Sequence, residues 1–248
     1  MLVRDRMTTP PITMDVRGSI AEAHGLMRHY DIRRVPILQK GRLVGIVSWT
    51  DLMRAMPSPA SLLGAQEMPG LLLRASVKEI MTPTPITVSP NQPIEQAAMV
   101  MRQEKIGGLP VVEDGVLIGV ITESDIFQAF VDLTGVRGPG TRLVVDLTDH
   151  PKAVAEIAAV ADETGLPLAS IATYSQEHER LAIVRVDTDN PLPLVQALGE
   201  KGFRVVHLAA LPAAPNRKKG AEQVRPDSLI PDRQADVRSV FGVDSRPQ

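Results

Sequence analysis

Length, composition and charge set the first limits on this chain. Its 248 residues, 44% of them hydrophobic, are enough for two domains with cores of their own. The 27 basic and 29 acidic side chains leave a net charge of −2, which argues against a nucleic acid or an acidic membrane as the partner. The absence of cysteine excludes disulfides and thiol nucleophiles and agrees with a cytoplasmic location. No apolar run approaches the roughly 20 residues of a membrane span, and the charged first residues do not fit a signal peptide.

An internal repeat is the most informative feature of the sequence. Residues 3–56, moved forward by 74 positions, align with residues 77–130 without a gap. The identical pairs include Met7/Met81, Thr8/Thr82, Ile20/Ile94, Ala23/Ala97, Met27/Met101, Pro36/Pro110, Gly45/Gly119 and Asp51/Asp125. We therefore predict two copies of one structural unit.

Each copy has the same predicted order of elements, β-α-β-β-α. Apolar residues at helical spacing follow a proline-rich start, and Ser19 with Glu22 predicts a capping box at the first helix. Two short β-type runs around the turn at residues 39–42 follow, and a second helix begins directly after them. Because such a unit is too small to cover both faces of its sheet, we expect the two copies to pack sheet against sheet.

The remaining sequence predicts a domain of another kind. After a glycine-rich linker, β-type runs and two helices follow in the order β-α-β-β-α-β, which is typical of a ferredoxin-like unit. The predicted fold class is therefore α+β. The predicted boundaries are 1–56 for the first copy, 57–76 for a connector, 77–133 for the second copy, 134–140 for a linker, 141–210 for the ferredoxin-like domain and 211–248 for a disordered tail.

The two copies carry a recognisable pair of motifs. IRRVPI at residues 32–37 and GIVSWTD at 45–51 recur as IGGLPV at 106–111 and GVITESD at 119–125. With these motifs the chain resembles a tandem pair of CBS domains. The resemblance implies a disc with clefts for adenosine compounds, in which the Gly-x-x-Ser/Thr-x-x-Asp end of each copy lies at the ligand.

The chemistry of that motif supports a ligand site, but it has an alternative. Glycine lets backbone approach a ligand, and the free N–H groups at a helix start suit phosphate. A carboxylate three residues after the hydroxyl can accept both hydroxyls of a ribose. The same spacing is also that of a capping box, which needs no ligand. Both interpretations stay open.

The copies differ where the first has Arg33 and Arg34 and the second has Gly107 and Gly108. Arginine suits bidentate phosphate contact, so we predict that the first cleft takes the phosphate charge, although a solvated turn is the alternative. The predicted ligand-binding residues of the first cleft are Thr13, Arg33, Arg34, Pro36, Ser48 and Asp51. Those of the second are Thr87, Leu109, Pro110, Thr122 and Asp125. The resemblance places the two threonines on the adenine side.

The ferredoxin-like segment resembles an ACT domain, the amino-acid-sensing module of many regulated proteins. The resemblance rests on the order of elements and on the turn Asp149-His150-Pro151. Lys152 stands where the family usually has a glycine at the ligand, so we do not expect amino-acid binding there. A CBS pair joined to an ACT-like domain with no enzyme attached looks like the acetoin-utilisation accessory proteins of bacteria.

The predicted function is that of a non-catalytic regulatory protein. It would sense AMP, ADP or ATP in its clefts, without any other cofactor, and pass the signal to an unknown partner. Five histidines show no metal-binding spacing, and no catalytic motif is visible, so we predict neither a metal site nor catalytic residues. A homodimer is expected, with apolar surface at Met99, Met101, Phe127 and Phe130. The alternatives are a dimeric scaffold with empty clefts or an enzyme with an unrecognised site.

Overall fold

The structure is a computed structural model that describes residues 1–55, 75–136, 138–176 and 178–211. It divides into two compact units between residues 126 and 127, and each is described by itself. Most of the predicted connector, residues 57–74, and the predicted tail from residue 212 onward lie outside the described residues.

The first unit contains both copies of the repeat. A short 3-10 turn opens each copy, at Val3–Asp5 and at Val77–Glu79. The other elements of the unit are β1 (Met14–Asp15), α1 (Ile20–His29), β2 (Arg34–Gln39), β3 (Arg42–Ser48), α2 (Trp49–Ala55), β4 (Thr82–Pro83), α3 (Ile94–Glu104), β5 (Gly108–Glu113), β6 (Val116–Thr122) and α4 (Glu123–Leu133), which continues past the boundary.

Local chemistry forms these elements as the sequence predicts. At α1 the N–H of Glu22 donates to Ser19 Oγ at 3.1 Å, and the N–H of Ser19 donates to the Glu22 carboxylate at 2.7 Å, which confirms the capping box. The hairpin of the first copy turns at Lys40 and Gly41, with φ of 49° and 77°. Positive φ at both central residues is the signature of a type I′ turn, which matches the twist of the flanking strands.

The core follows the repeat. The first copy buries Ile20, Ala23 and Met27 of α1 against its sheet, and the second buries the matched Ile94, Ala97 and Met101 of α3. The strands β3 and β6, which are matched elements, lie in contact, as two packed sheets require. The prediction of two copies of one unit is therefore confirmed.

The N-terminal segments of the two copies cross over. Thr82 and Pro83 of the second copy form β4, which pairs with Ile46 and Gly45 in β3 of the first copy. In the same way Thr8 bridges to Val120 in β6, with hydrogen bonds of 2.9 and 3.1 Å in the two directions. Each copy therefore supplies a strand edge to the other.

This exchange explains the glycine of each motif. A Cβ on Gly119 would stand 2.8 Å from Met7 Sδ and 2.9 Å from the Thr8 carbonyl oxygen, and one on Gly45 would stand 2.5 Å from Met81 Sδ. The space in front of each glycine is filled by the other copy. Each glycine makes room for the crossing segment of the other copy, which is a structural reason for glycine that needs no ligand, and a role in bringing backbone close to a ligand stays a prediction.

A methyl group at Gly119 is expected to destabilise the first unit. Gly119→Ala should cost about 1 to 3 kcal/mol, since the Thr8 backbone has to shift. The matched control is Gly25→Ala within α1, where nothing lies within 4 Å of the added methyl, and helix propensity should raise stability by about 0.5 to 1 kcal/mol. Urea unfolding measures both changes. Equal effects of the two substitutions would contradict the packing described here.

The second unit is a four-stranded antiparallel sheet with two helices. Its elements are β7 (Gly140–Asp146), α5 (Ala153–Glu163), β8 (Leu168–Gln176), β9 (Glu179–Val186), α6 (Leu192–Glu200) and β10 (Val205–Leu211). The strand order β10-β7-β9-β8 puts the first and third strands in the centre, which confirms the ferredoxin-like prediction. The helices cover the sheet with Ile157, Val160, Leu194 and Leu198.

Asp146, at the end of β7, has a low pKa. The carboxylate accepts hydrogen bonds from the Thr148 hydroxyl (2.7 Å), from the Thr148 N–H (2.9 Å) and from Arg204 Nη2 (2.6 Å), and these contacts lower its pKa to about 2. A pKa depressed in the folded state adds stability above pH 3.8, the ordinary value, and that stability is lost as the pH falls toward 2.

Removal of the Thr148 hydroxyl is expected to raise the pKa of Asp146 toward its ordinary value. In Thr148→Val the largest of the three contributions disappears while the Arg204 contact stays. Carboxyl NMR titration of the wild type and the variant measures the shift directly. An unchanged pKa of Asp146 in the variant would show that Arg204 and the backbone N–H of residue 148 hold it down without the hydroxyl.

Candidate functional site

Two clefts open between the two copies of the repeat, and each is lined by described residues of both copies. We call the larger one cleft A. It has a volume of about 430 Å³. The motif end of the first copy meets the crossing segment and the start of β5 from the second copy there. Cleft A is lined by Arg34, Ile46, Ser48, Thr50, Asp51, Arg54, Thr82, Thr84, Pro85, Ile86, Lys105, Ile106, Gly107, Gly108 and Pro110.

The second cleft, cleft B, is smaller, with a volume of about 250 Å³. The motif end of the second copy meets the crossing segment of the first copy and the residues just before β2 there. Cleft B is lined by Thr8, Pro11, Ile12, Asp31, Ile32, Arg33, Arg34, Gly107, Val120, Thr122, Glu123, Ser124 and Asp125. Because the N-terminal segments cross over, cleft A and cleft B each need residues of both copies.

The structure groups the sequence-predicted residues differently from the prediction. Of the set given to the first cleft, Ser48, Asp51 and Arg34 line cleft A, whereas Arg33 lines cleft B only. Arg34 lines both clefts.

The set given to the second cleft is divided as well. Thr122 and Asp125 line cleft B, but Pro110 lines cleft A. Four further predicted residues line neither cleft: Thr13, Thr87, Pro36 and Leu109. Pro36 and Leu109 are buried in the sheets, and the two threonines come after the part of each N-terminal segment that reaches the opposite copy.

Several charged residues of the clefts were not predicted from sequence. Arg54 and Lys105 line cleft A, while Asp31 and Glu123 line cleft B. Asp31 and Lys105 occupy matched positions 74 residues apart, and both have a positive φ, of 51° and 55°. The opposite charges of Asp31 and Lys105 at matched positions of the repeat are a sequence signal that could have identified these two residues.

The hydroxyl and carboxylate of each motif form a closed pair. In cleft A the N–H and the hydroxyl of Ser48 donate to Asp51 Oδ2 at 2.8 and 2.6 Å, and the N–H of Asp51 donates back to Ser48 Oγ at 3.3 Å. In cleft B the corresponding distances for Thr122 and Asp125 are 2.7, 2.7 and 3.4 Å. The capping box is therefore present at both helices.

The capping box leaves part of the helix start available. Among the described residues, Asp51 Oδ1 accepts no hydrogen bond. The N–H of Trp49 is taken by the Arg33 carbonyl at 2.8 Å, which leaves the Thr50 N–H as the one amide of the first turn with neither a helical nor a capping acceptor. Both residues line cleft A.

Charge distinguishes the clefts. Cleft A has three cations, Arg34, Arg54 and Lys105, against one carboxylate, Asp51. Cleft B has two cations, Arg33 and Arg34, against three carboxylates, Asp31, Glu123 and Asp125. Cleft A is therefore suited to an anionic ligand and cleft B is not.

Arg34 lies between the two groups of carboxylates. Burial lowers the pKa of its guanidinium, attraction by Glu123 raises it, repulsion by Arg33 lowers it, and attraction by Asp51 raises it. The guanidinium remains protonated at neutral pH, because arginine loses its proton only in strongly basic solution. Its positive charge is thus available to both clefts.

Both clefts also have apolar walls. Ile46, Pro85, Ile86 and Ile106 face cleft A, and Pro11, Ile12, Ile32 and Val120 face cleft B. Flat aliphatic walls next to polar groups suit a heterocyclic base that carries a sugar.

Within the four described ranges, no three histidine or acidic side chains come together as a metal site would need. No helix of the described residues has both the length and the apolar character that a membrane crossing requires.

The family assignment follows from this repeat and its comparison with known proteins. The profile of the CBS domain matches residues 3–58 and 77–132. A CBS domain-containing protein of Dictyostelium discoideum is 30% identical over 133 residues, which are 53% of this chain and 92% of that protein. The chain belongs to the CBS domain family.

Two further proteins are similar to this chain. The inosine-5′-monophosphate dehydrogenase of Korarchaeum cryptofilum is 30% identical over 195 residues, which are 78% of this chain but only 37% of the dehydrogenase. The crystal structure of a putative acetoin utilization protein from Vibrio cholerae is 35% identical, with a TM-score of 0.45, and the match covers 54% of this chain and 92% of that one. This chain thus spans only about a third of the dehydrogenase.

Proposed function

We propose that the chain is a non-catalytic regulatory protein that binds an adenosine compound in cleft A. The observation that carries this proposal is the combination of groups facing that cleft. Asp51 with its free carboxylate oxygen, Thr50, three basic side chains and an apolar wall all line this cleft. A volume of about 430 Å³ lies within the range of about 300 to 1,000 Å³ that is usual for small-molecule sites.

Each part of an adenine nucleotide has a counterpart in cleft A. The base would lie against Ile46, Pro85 and Ile86. The ribose hydroxyls would donate to Asp51 Oδ1, because its other oxygen is held by Ser48. The phosphate would lie toward the three cations and the helix start.

The test is a thermal-shift screen of the full chain with adenosine, AMP, ADP and ATP. A ligand that binds only the folded state raises its stability, by about 2.7 kcal/mol at a concentration of 100 times Kd. Inorganic triphosphate is the control for charge alone, and guanosine is the control for the base. Stabilisation by adenine compounds but by neither control supports the proposal.

A dimeric scaffold with empty clefts is the second candidate. The observation that favours it is that both capping boxes are complete without a ligand, so that the motif residues already have a structural role. In that case no adenine compound shifts the melting temperature. An enzyme with an unrecognised site is the least supported alternative, and we propose that the chain has no catalytic residues of its own.

The second unit is proposed to act in assembly as an ACT-like domain. Lys152 is the residue before α5 and makes no side-chain capping bond there, so this turn lacks the glycine that would bring backbone close to an amino acid.

Apolar side chains are exposed at Met99, Phe127 and Phe130, whereas Met101 is buried. We expect a homodimer that passes the nucleotide signal to a partner protein. Light scattering at micromolar concentration tests this expectation, and a monomeric mass would contradict it.

A further inference from the structure

One guanidinium lies between the two clefts, and its position explains the difference between the copies. A Cβ on Gly107 would overlap Arg34 Nη2 and would stand 2.7 Å from Glu123 Oε2. A Cβ on Gly108 would stand 3.2 Å from Arg34 Cδ. The Arg34 side chain thus occupies the space that side chains of the second copy would need. The present position of Arg34 in one copy therefore depends on the two glycines of the other.

The two clefts consequently share a single cation. Arg34 lines both clefts, whereas Arg33 lines cleft B only and Lys105 lines cleft A only. Asp51, on the side of cleft A, and Glu123, on the side of cleft B, both attract the Arg34 guanidinium. A phosphate that binds a guanidinium through two parallel N–H groups neutralises its charge, so the guanidinium attracts a second phosphate less strongly.

When Arg34 binds a phosphate in cleft A, the charges that remain in the two clefts differ strongly. Cleft B then keeps one cation, Arg33, against the carboxylates of Asp31, Glu123 and Asp125. A phosphate entering cleft B would meet net repulsion, whereas an uncharged nucleoside would not. Cleft B is also the smaller of the two, at about 250 Å³.

We propose that Arg34 couples the two clefts, so that a phosphate-bearing adenosine compound in cleft A disfavours a second one in cleft B but leaves cleft B open to an uncharged adenosine compound. This inference rests on the proposed function. The coupling is reciprocal, because the effect of one ligand on the other must equal the reverse effect. The protein would thereby respond to the relative amounts of a nucleotide and an uncharged nucleoside rather than to either alone.

Calorimetric titration of the full chain with AMP and with adenosine tests the coupling. For AMP we expect two sites whose dissociation constants differ by about tenfold or more, which corresponds to the loss of one charged contact, and for adenosine a clearly smaller difference. Glu123→Gln removes a carboxylate from cleft B and should bring the two dissociation constants for AMP closer together. Glu95→Gln, at an exposed position of α3 that lines neither cleft, is the matched control and should change nothing.

Two further variants examine Arg34 itself. In Arg34→Ala the ratio of the two AMP dissociation constants should fall, because no shared cation remains, but it should stay above the ratio for adenosine, because Arg54 and Lys105 still face cleft A and three carboxylates still face cleft B. In Gly107→Ala the added methyl displaces the guanidinium and should reduce the same ratio without removing the charge. Melting curves of each variant establish that it is folded. Two equal AMP sites in the wild type, or a ratio unaffected by Arg34→Ala, would overturn the coupling alone. Absence of binding by every adenosine compound would overturn the proposed function as well.

Discussion

Asp51→Ala is expected to weaken adenosine binding in cleft A by about tenfold to a hundredfold. The free Oδ1 of Asp51 is the proposed acceptor for the ribose hydroxyls, and hydrogen bonds to a charged group contribute about 1.5 to 3 kcal/mol. Adenosine is the ligand to use. With a nucleotide, loss of the Asp51 charge also relieves repulsion of the phosphate, which reduces the net effect. Calorimetry measures the change.

The repeat provides a matched control for that substitution. Asp125→Ala removes a capping carboxylate of nearly identical geometry, with hydrogen bonds of 2.7 and 2.7 Å to Thr122, but from cleft B. Both variants should lose about 1 kcal/mol of stability through the cap. Only Asp51→Ala should weaken binding in cleft A. An equal loss in both variants would mean that destabilisation, rather than a lost contact, explains the effect.

Arg34→Ala is expected to weaken AMP and ADP in cleft A by about tenfold to a hundredfold while adenosine loses little. The substitution removes one of three cations that face the phosphate and leaves the ribose and base contacts intact. The comparison is internal to one variant, because adenosine and nucleotide titrate the same protein. Equal losses for both ligands would contradict a phosphate contact of Arg34.

Arg33→Ala separates this effect from a general loss of positive charge. Arg33 is exposed and lines cleft B only, so nucleotide affinity in cleft A should stay within about twofold of the wild type. The two variants remove the same charge from neighbouring positions. An equal loss of nucleotide affinity in Arg33→Ala would indicate that both arginines act on the ligand through long-range electrostatic attraction and not through a contact. Such a loss would decline steeply with added salt.

Much of the fold could be predicted from the sequence because local signals and the repeat agree. The capping box at Ser19, the turn at residues 39–42 and the apolar face of Ile20, Ala23 and Met27 all follow from short-range spacing. The order of strands and helices after residue 140 likewise predicts the ferredoxin-like topology that the structure contains. Each of these features depends on residues close together in the chain.

The composition of the clefts could not be predicted in the same way, because it depends on which copy pairs with which. Thr8 bridges to Val120 and Thr82 pairs with Ile46, and nothing within one copy specifies that exchange. The sequence therefore predicted the motif residues Ser48 and Asp51 but assigned the neighbouring segments to the wrong side. Arg54 and Lys105 were missed because they lie at a helix end and a turn, where a charge is usually just solvated.

The basic residues that line cleft A differ from those that the sequence predicts for a phosphate. The sequence suggested Arg33 and Arg34 together, whereas Arg34 joins Arg54 and Lys105 in that cleft. The Gly107 and Gly108 pair was interpreted only as an absence of charge. Its steric role against the Arg34 side chain becomes visible only when the two copies are brought together.

Saturable binding of AMP by the wild-type chain, measured by calorimetry up to millimolar concentration, tests the central claim most directly. We expect heat that saturates, tighter binding of AMP than of adenosine in the first site, and no comparable binding of inorganic phosphate, because base, ribose and phosphate each have a counterpart in cleft A. Absence of binding by AMP and by every other adenosine compound at that concentration would contradict the claim and leave the scaffold with empty clefts in its place.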